Sequence, residues 1–261
     1  MQDFSSIETF LLIVGNSRSG SSLLGSMVDA HHQAAIANES SESKMIWRDI
    51  RKEEFFDSLF MNAEASRVNE RYSGGYTYGF SDVRIKNYSS LKVIGDKIWN
   101  PATLLLHGDN RLINNLSELL GVKIRLIHAL RNPFDVIATM TKKSGATIRD
   151  RTIWYFMHLE AIKGIEDRLD LESLIHVYHE NMINLPAENL FEICNFLDID
   201  YSDEYLNVCS KKLFLEPTKP RNSIQWSKAD CDFITRKISN YKFLDKYLSS
   251  EYTPIASNIK L

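Results

Sequence analysis

The strongest constraint on this fold is a glycine-rich loop that follows a short apolar run near the start of the sequence. Residues 10–14 read FLLIV, residues 15–20 read GNSRSG, and apolar positions with helical spacing return after Ser22. Gly15 and Gly20 permit backbone angles that other residues resist, and they let the backbone approach a ligand closely. This order predicts a buried strand, a tight loop and a helix N-terminus, where backbone N–H groups and the helix dipole attract anions. The loop is therefore suited to hold a phosphate or a group of similar shape.

The spacing of the loop approaches that of the Walker A motif, in which two glycines four residues apart precede a lysine and then Ser or Thr. Ser21 stands at the lysine position here. Because that lysine contacts the β and γ phosphates in nucleotide triphosphatases, its absence argues against hydrolysis of ATP or GTP. Arg18 supplies a cation from within the loop, although an ordinary strand–helix turn with a solvent-facing arginine would have the same local sequence.

Composition and charge narrow the class of protein. The 261 residues are enough for a large core, and 44% hydrophobic with 25% charged residues is typical of a soluble globular protein. The 31 basic and 34 acidic side chains give a net charge of −3 without a dense basic run, which argues against nucleic acid as a partner. Cys194, Cys209 and Cys231 form no C-x-x-C pair and predict reduced, buried thiols. The first apolar run is too short for a signal peptide or a membrane anchor, so we expect a cytoplasmic protein without a membrane span.

Five apolar segments predict strands that alternate with helices. The strand segments are residues 10–14, 33–37, 91–97, 122–130 and 174–178. The clearest amphipathic helix covers residues 149–169, and its expected buried face comprises Ile153, Phe156, Met157, Ala161, Ile165 and Leu169. The alternation predicts an α/β fold with a central parallel sheet of about five strands and helices on both faces. We expect residues 1–261 to form a single domain, with a long loop at the glycine- and aromatic-rich residues 71–80.

Charged side chains stand at the predicted carboxyl ends of four strands. They are Arg18, Glu39, Lys97 and Arg131. Because ligands of parallel α/β sheets bind beyond the carboxyl ends of the strands, we expect these four residues to share one site. Two arginines and a lysine indicate a ligand with two separated anionic groups, and Glu39 is the candidate general base. Solvated positions at strand ends are the alternative for Glu39 and Lys97.

Two of these segments resemble motifs of the sulfotransferases that use 3′-phosphoadenosine 5′-phosphosulfate (PAPS). Residues 15–24, GNSRSGSSLL, are similar to the loop that binds the 5′-phosphosulfate. Arg131, followed eight positions later by Thr139, is similar to the pair that holds the 3′-phosphate. Weaker resemblance is found at residues 177–182, 189–200 and 223–226. The resemblance covers roughly residues 10–248 and implies the three-layer, P-loop-like fold of that family.

The resemblance also implies roles for individual residues. The donor site would comprise Asn16, Ser17, Arg18, Ser19, Gly20, Ser21, Ser22, Arg131, Thr139, Arg221 and Ser223. Sulfotransferases of phenols and steroids have a histidine base after the third strand, but this sequence reads KIW at residues 97–99. Glu39 falls where tyrosylprotein sulfotransferases and many bacterial and carbohydrate-directed relatives have a glutamate, with Glu42 as the fallback if the register differs. Lys97, beside the leaving oxygen, and Arg18 would complete the catalytic set.

These features together predict a PAPS-dependent sulfotransferase that transfers a sulfuryl group in line to an acceptor hydroxyl or amine and releases 3′-phosphoadenosine 5′-phosphate (PAP). Glu39 would take the acceptor proton. No metal is expected, because the sequence suggests no cluster of histidines and acidic residues. The alternatives are a small-molecule or nucleotide kinase with a degenerate Walker loop, and a non-catalytic module that binds PAP or another nucleotide.

The acceptor is the least determined part of the prediction. An unidentified small molecule or carbohydrate is expected, held by loops at residues 40–90 and 141–152. Five aromatic residues either line its pocket or belong to the core, namely Trp47, Tyr76, Tyr78, Phe80 and Trp99. The oligomeric state is open.

Overall fold

A computed structural model describes residues 3–40, 50–68, 71–73, 76–78, 80, 90–213 and 216–255. Its centre is a five-stranded parallel sheet with the strand order β2-β5-β1-β6-β7. The strands are β1 (Thr9–Val14), β2 (Ala34–Asn38), β5 (Val93–Lys97), β6 (Lys123–Leu130) and β7 (Leu174–Tyr178). All five correspond to apolar segments of the sequence, so the predicted parallel sheet is confirmed.

The register of the sheet brings the strand ends together at one edge. Ile13 of β1 lies beside Lys97 of β5, and Lys97 lies beside Asn38 at the end of β2. On the other side of β1, Val14 lies beside His128 of β6. The polar segments that follow β1, β2, β5 and β6 therefore begin at the same edge, as expected for a ligand site in such a sheet.

Helices cover most of the remaining described sequence. The α-helices are α1 (Ser21–Asp29), α2 (Lys52–Val68), α3 (Asn100–Gly108), α4 (Leu112–Leu120), α5 (Pro133–Ser144), α6 (Ile148–Glu166), α7 (His179–Asn184), α8 (Pro186–Leu197), α9 (Asp203–Lys211) and α10 (Lys228–Ile238). Short 3-10 helices span Leu171–Ser173, Pro220–Ser223 and Lys242–Leu248. None of the described helices is both long and apolar enough to cross a membrane.

The alternation of side chains along β1 divides the core into two layers. Leu11 and Ile13 face one side, where they join a cluster with residues of α1, α8 and α9. Phe10 and Leu12 face the other side, where they pack with residues of α2, α3, α4 and α6. Because both faces of the sheet are covered by helices, the expected three-layer arrangement is confirmed.

The buried face of α6 differs from the prediction. Ile153 and Met157 were expected inside, yet they are 54% and 49% exposed. The buried stripe includes the polar residues Thr152 and His158, so apolar spacing alone gives the wrong face. Leu169 lies beyond the end of the helix at Glu166.

The segment at residues 71–80 also differs from the expected long loop. Two short strands, β3 (Arg71–Ser73) and β4 (Tyr76–Tyr78), pair antiparallel there and form a separate two-stranded sheet. Alternating aromatic and polar residues at these positions suit a strand, and glycine-rich composition obscured that pattern.

The cysteines agree with the expected reduced thiols. Cys194, Cys209 and Cys231 are all free, and the first two are buried. Burial raises the pKa of both Cys194 and Cys209 to about 12, so neither has the thiolate character of a reactive cysteine.

A glycine in the centre of the sheet gives a test of this packing. A Cβ at Gly95 of β5 would clash with the backbone carbonyl of Leu11 and come within 2.9 Å of its Cβ. We therefore expect Gly95→Ala to lower the free energy of unfolding by about 1–3 kcal/mol or more, measured by urea denaturation. Gly108→Ala is the control, because a Cβ at Gly108 meets nothing within 4 Å. Equal stability of the two variants would contradict the packing described here.

Candidate active site

The loop between β1 and α1 has an unusual backbone. Arg18 has φ of 77° and Gly20 has φ of 92°, both in the left-handed region. Gly20 is the N-cap residue of α1 and has no side chain to cover the first turn of that helix. The first-turn residues Ser21 and Ser22 line two neighbouring cavities. The loop thus presents a helix N-terminus, which attracts anions, to both cavities.

Glu39 and Lys97 form an ion pair at the carboxyl edge of the sheet. Lys97 Nζ donates to Glu39 Oε1, and Lys97 is only 3% exposed whereas the Glu39 side chain is 45% exposed. The backbone N–H of Glu39 donates to the carbonyl of Lys97 at 2.8 Å, and that of Ser40 donates to Asp96 Oδ1 at 3.3 Å. These bonds hold Glu39 at φ of 54°, a left-handed conformation that is strained for this residue. Strand pairing therefore fixes both members of the pair.

The first cavity, called here the Glu39 cavity, has a volume of about 550 Å³. It is lined by Gly15, Ser17, Arg18, Ser21, Ser22, Glu39, Lys97, Ile98, Trp99, Asn100, Pro101, Met140, Lys143, Ser144, Arg151 and Trp154. The lining contains four cationic side chains and a single acidic one, Glu39. A ligand with anionic groups is the natural match for such a lining.

The second cavity, called the Arg131 cavity, has a volume of about 370 Å³. It is lined by Arg18, Gly20, Ser21, Ser22, Leu23, Arg131, Thr139, Lys142, Lys143, His179, Ile183, Glu216, Pro217, Thr218 and Pro220. The two cavities share Arg18, Ser21, Ser22 and Lys143. They therefore meet at the β1–α1 loop, and only the Glu39 cavity contains the ion pair.

Arg131 is 8% exposed and is held by backbone contacts. Its guanidinium donates to the carbonyl of Arg18 at 3.2 Å and to both the carbonyl and the hydroxyl of Thr218 at 2.9 Å. The buried Nε has no hydrogen-bond partner among the residues that the structure describes. Thr139, on α5, donates its hydroxyl hydrogen to the carbonyl of Asp135 at 2.8 Å, so its oxygen can still accept, and it would donate to a ligand only by turning away from that carbonyl. A buried, unpartnered N–H beside a cavity is costly unless a ligand accepts from it.

A family model described as the sulfotransferase family matches residues 11–203, which is more than half of the sequence. The chain belongs to the sulfotransferase family. Its members are enzymes of sulfuryl transfer, so the class of enzyme predicted from the two motifs is confirmed. No curated protein matches the sequence significantly.

Solved structures support the fold of this sulfotransferase. A sulfotransferase from Mycobacterium avium aligns with a TM-score of 0.51 at 12% identity, covering 92% of this chain and 77% of that one. A mouse sulfotransferase in complex with PAP aligns with a TM-score of 0.51 at 14% identity, covering 94% of this chain and 89% of that one. At such low identity the alignments show the shared fold alone.

The predicted donor residues of this sulfotransferase fall into three groups. Those that line a cavity are Ser17, Arg18, Gly20, Ser21, Ser22, Arg131 and Thr139. Asn16 and Ser19 are buried in the loop, and within the described part of the chain Asn16 Oδ1 and Ser19 Oγ have no hydrogen-bond partner. Arg221 and Ser223 line neither cavity.

Arg221 instead forms a buried ion pair. Its guanidinium binds Asp135 Oδ2, and its backbone N–H donates to Asp135 Oδ1 at 2.9 Å. A second guanidinium nitrogen donates to the carbonyl of Glu251 at 3.1 Å. Burial raises the pKa of Asp135, against the effect of the Arg221 contacts. Ser223 is exposed and lies 3.3 Å from the Nζ of Lys142, a residue that does line the Arg131 cavity.

Several residues of the site were missed by sequence reasoning. Lys142 and Lys143 follow Thr139 at helical spacing of three and four, which places all three on one face of α5 and could have revealed them. Arg18 and Lys143 line both cavities, and slight desolvation together with the charge of Arg18 lowers the pKa of the exposed Lys143. His179 lines the Arg131 cavity, and burial together with Arg131 lowers its pKa to about 4. His179 falls within residues 177–182, whose weak resemblance to the family gave it no role.

The structure describes the side chains of two of the five aromatic residues for which both the acceptor pocket and the core were open. Trp99 lines the Glu39 cavity, whereas Phe80 is 7% exposed within the hydrophobic core. Trp47 and the fallback base Glu42 lie outside the described residues, as do the side chains of Tyr76 and Tyr78. Trp154, which the sequence did not single out, also lines the Glu39 cavity.

The expectation that histidines and acidic residues form no cluster is wrong. Glu166 Oε1 lies 2.6 Å from His128 Nδ1 and 3.1 Å from His176 Nε2, and one ligand atom of each residue falls within 4.8 Å of the others. Burial raises the pKa of Glu166, but the hydrogen bonds to both histidines outweigh it and lower that pKa to about 2. The cluster lines neither cavity and joins α6 to β6 and β7.

The Arg221–Asp135 pair allows a test of whether Arg221 stabilises the fold or contacts the sulfuryl donor directly. Removal of one partner of a buried ion pair leaves the other charge buried and unpaired. We therefore expect Arg221→Met to lower the free energy of unfolding by about 3–5 kcal/mol in urea denaturation. Arg236→Met on α10 is the control, since the Arg236 Nε donates only to an exposed backbone carbonyl. If Arg221→Met unfolded like the native protein while PAP affinity fell, Arg221 would be a direct donor contact.

Proposed function

We propose that this protein transfers the sulfuryl group of PAPS to an acceptor hydroxyl or amine, with the donor in the Arg131 cavity and the acceptor in the Glu39 cavity. The observation that carries the proposal is that the two cavities meet at Arg18, Ser21, Ser22 and Lys143, with the Glu39–Lys97 pair lining only one of them. In-line transfer requires donor and acceptor on opposite sides of the moving group. Two cavities joined at an anion-attracting loop meet that requirement.

The chemistry of the Arg131 cavity fits a nucleotide with two anionic groups. Its lining carries four cations and one acidic residue, Glu216. Arg131, whose buried Nε has no partner among the described residues, would hold the 3′-phosphate, together with Thr139 once its hydroxyl turns away from the Asp135 carbonyl. The first turn of α1 and Arg18 would hold the 5′-phosphate side. The absence of lysine at Ser21 argues against the kinase alternative, in which that side chain contacts the terminal phosphates.

The Glu39–Lys97 pair would perform the chemistry. When bound, PAPS supplies the sulfuryl group, whose bond to a 5′-phosphate oxygen breaks as the acceptor atom bonds to sulfur. Lys97, nearly fully buried, would place a positive charge beside the oxygen on which negative charge grows. Glu39, the more exposed partner, would take the proton from the acceptor. Each residue thus has one role, and the two side chains lie next to each other in the Glu39 cavity.

Donor recognition is tested by calorimetric titration with PAP, AMP and ATP·Mg in parallel. We expect PAP to bind about tenfold to a hundredfold more tightly than AMP, because Arg131 and Thr139 form charge-assisted bonds with the 3′-phosphate. Thr139→Val and Arg131→Met should reduce this ratio, whereas Arg149→Met, on the exposed surface over the ring of Phe233, should preserve it. The proposal would be overturned if the protein preferred ATP·Mg to PAP, or if it bound none of the three nucleotides.

The catalytic roles are tested by transfer of ³⁵S from labelled PAPS to a panel of hydroxyl acceptors. The panel contains tyrosol, glucose and glycerol with their anionic counterparts 4-hydroxyphenylacetate, glucuronate and glycerol 3-phosphate. Glu39→Gln should lower kcat about 10²- to 10⁴-fold, with PAP affinity unchanged. Lys97→Met should lower kcat about 10²- to 10³-fold. Glu54→Gln, on the exposed surface of α2, is the matched control.

The outcomes distinguish the two candidate bases. A native kcat in Glu39→Gln, together with a large loss in Glu42→Gln, would assign the proton transfer to Glu42. A native kcat in both variants would remove the general base from the proposed mechanism.

A further inference from the structure

Arg151, in the first turn of α6, has a guanidinium without a partner. Its backbone N–H belongs to the helix, where it donates to the carbonyl of Thr147 at 3.1 Å. The guanidinium forms no hydrogen bond or ion pair with any described residue, and its Nε is fully buried. Arg151 as a whole is partly exposed, so the cost falls on the Nε, a buried N–H donor without an acceptor. This arrangement is typical of a side chain whose acceptor is a ligand.

The position of Arg151 points to the acceptor rather than to the donor. Arg151 lines the Glu39 cavity but not the Arg131 cavity. Of the other cations of the Glu39 cavity, Arg18 and Lys143 are shared with the Arg131 cavity, and Lys97 is paired with Glu39. The donor would therefore engage the shared cations, and Arg151 remains as the positive charge of the acceptor side without a counter-charge.

Two indole rings define the surroundings of that charge. Trp99 and Trp154 line the same cavity as Arg151. The Trp154 ring stacks on His158 with a centroid distance of 5.5 Å and an interplanar angle of 2°, which fixes its orientation. Burial lowers the pKa of His158 to about 4, so that imidazole adds no positive charge at neutral pH. Of the four cations of the Glu39 cavity, Arg151 is therefore the one that is neither shared with the Arg131 cavity nor paired with Glu39, and it lies in a lining that also holds two indole rings.

We propose that the acceptor carries an oxyanion, a carboxylate or a phosphate ester, which Arg151 binds while Glu39 receives the proton of the reacting hydroxyl. A guanidinium donates to both oxygens of a carboxylate or phosphate at once, which fixes orientation as well as affinity. The inference rests on the proposed function, because it assigns the acceptor to the Glu39 cavity. In this arrangement Arg151 determines which acceptors bind and takes no part in binding the donor.

The test compares each anionic member of the panel with its neutral counterpart. In the native protein, kcat/KM should be about tenfold to a hundredfold higher for at least one anionic member. Arg151→Gln should remove this preference by raising KM for the anionic acceptor, with transfer to the neutral counterpart unchanged. Arg149→Gln, two residues earlier on the same helix, is the matched control and should keep the preference. The three anionic compounds distinguish a carboxylate from a phosphate ester.

A binding measurement supplements turnover. Titration of the PAP-saturated protein with the same pairs, followed by tryptophan fluorescence, should show the same preference and its loss in Arg151→Gln. The Arg151 guanidinium has no partner among the described residues, so its replacement leaves no other group unpaired. The variant should therefore keep the unfolding temperature of the native protein.

The inference is overturned if no anionic compound is preferred in either measurement, or if the preference survives in Arg151→Gln. It is also overturned if that variant loses PAP affinity or loses transfer to every acceptor equally, since Arg151 would then act on the donor or the moving group. If PAP binds tightly but no anionic acceptor is preferred, only this inference fails. If PAP is not recognised, the proposed function itself fails.

Discussion

The site depends on the pairing of β2 with β5. That register places Asn38 beside Lys97, so the residue after β2 begins where the β5 lysine ends. The backbone N–H of Glu39 then donates to the carbonyl of Lys97, and their side chains meet as an ion pair. A slip of one residue in this pairing would turn the Lys97 side chain to the other face of the sheet and separate the pair. The candidate chemistry is therefore a consequence of strand register.

Backbone strain marks two of the residues that face the cavities. Among the described residues other than glycine, positive φ occurs at Arg18, Glu39 and Asp198. Asp198 ends α8, where a left-handed residue is an ordinary helix C-cap. Arg18 and Glu39 have no such role in helix termination, and each follows a strand at the carboxyl edge. The surrounding sheet thus holds both residues in a costly conformation in the lining of the cavities.

The sequence predicted those parts of the structure that local patterns determine. Apolar runs gave the five strands, and polar residues directly after the runs gave Arg18, Glu39, Lys97 and Arg131, because parallel strands end at one edge. Arg151 lies in residues 141–152, which were expected to hold the acceptor, but neither it nor Trp154 was singled out, since both reach the cavity from a helix whose buried stripe contains polar residues. The Arg221–Asp135 pair joins residues 86 positions apart, and no local pattern reveals which arginine is held in this way. Tertiary packing decides these positions.

The distribution of charge explains why the two cavities need separate cations. Arg18 and Lys143 line both cavities, and the charge of Arg18 adds to a slight desolvation in lowering the pKa of Lys143, so the junction favours an anion. Once an anionic donor engages these groups, an anionic acceptor would meet repulsion at the same point. A cation on the acceptor side that is free of the donor would offset that repulsion. Arg151 meets this requirement, because it lines the Glu39 cavity alone and its guanidinium has no partner among the described residues.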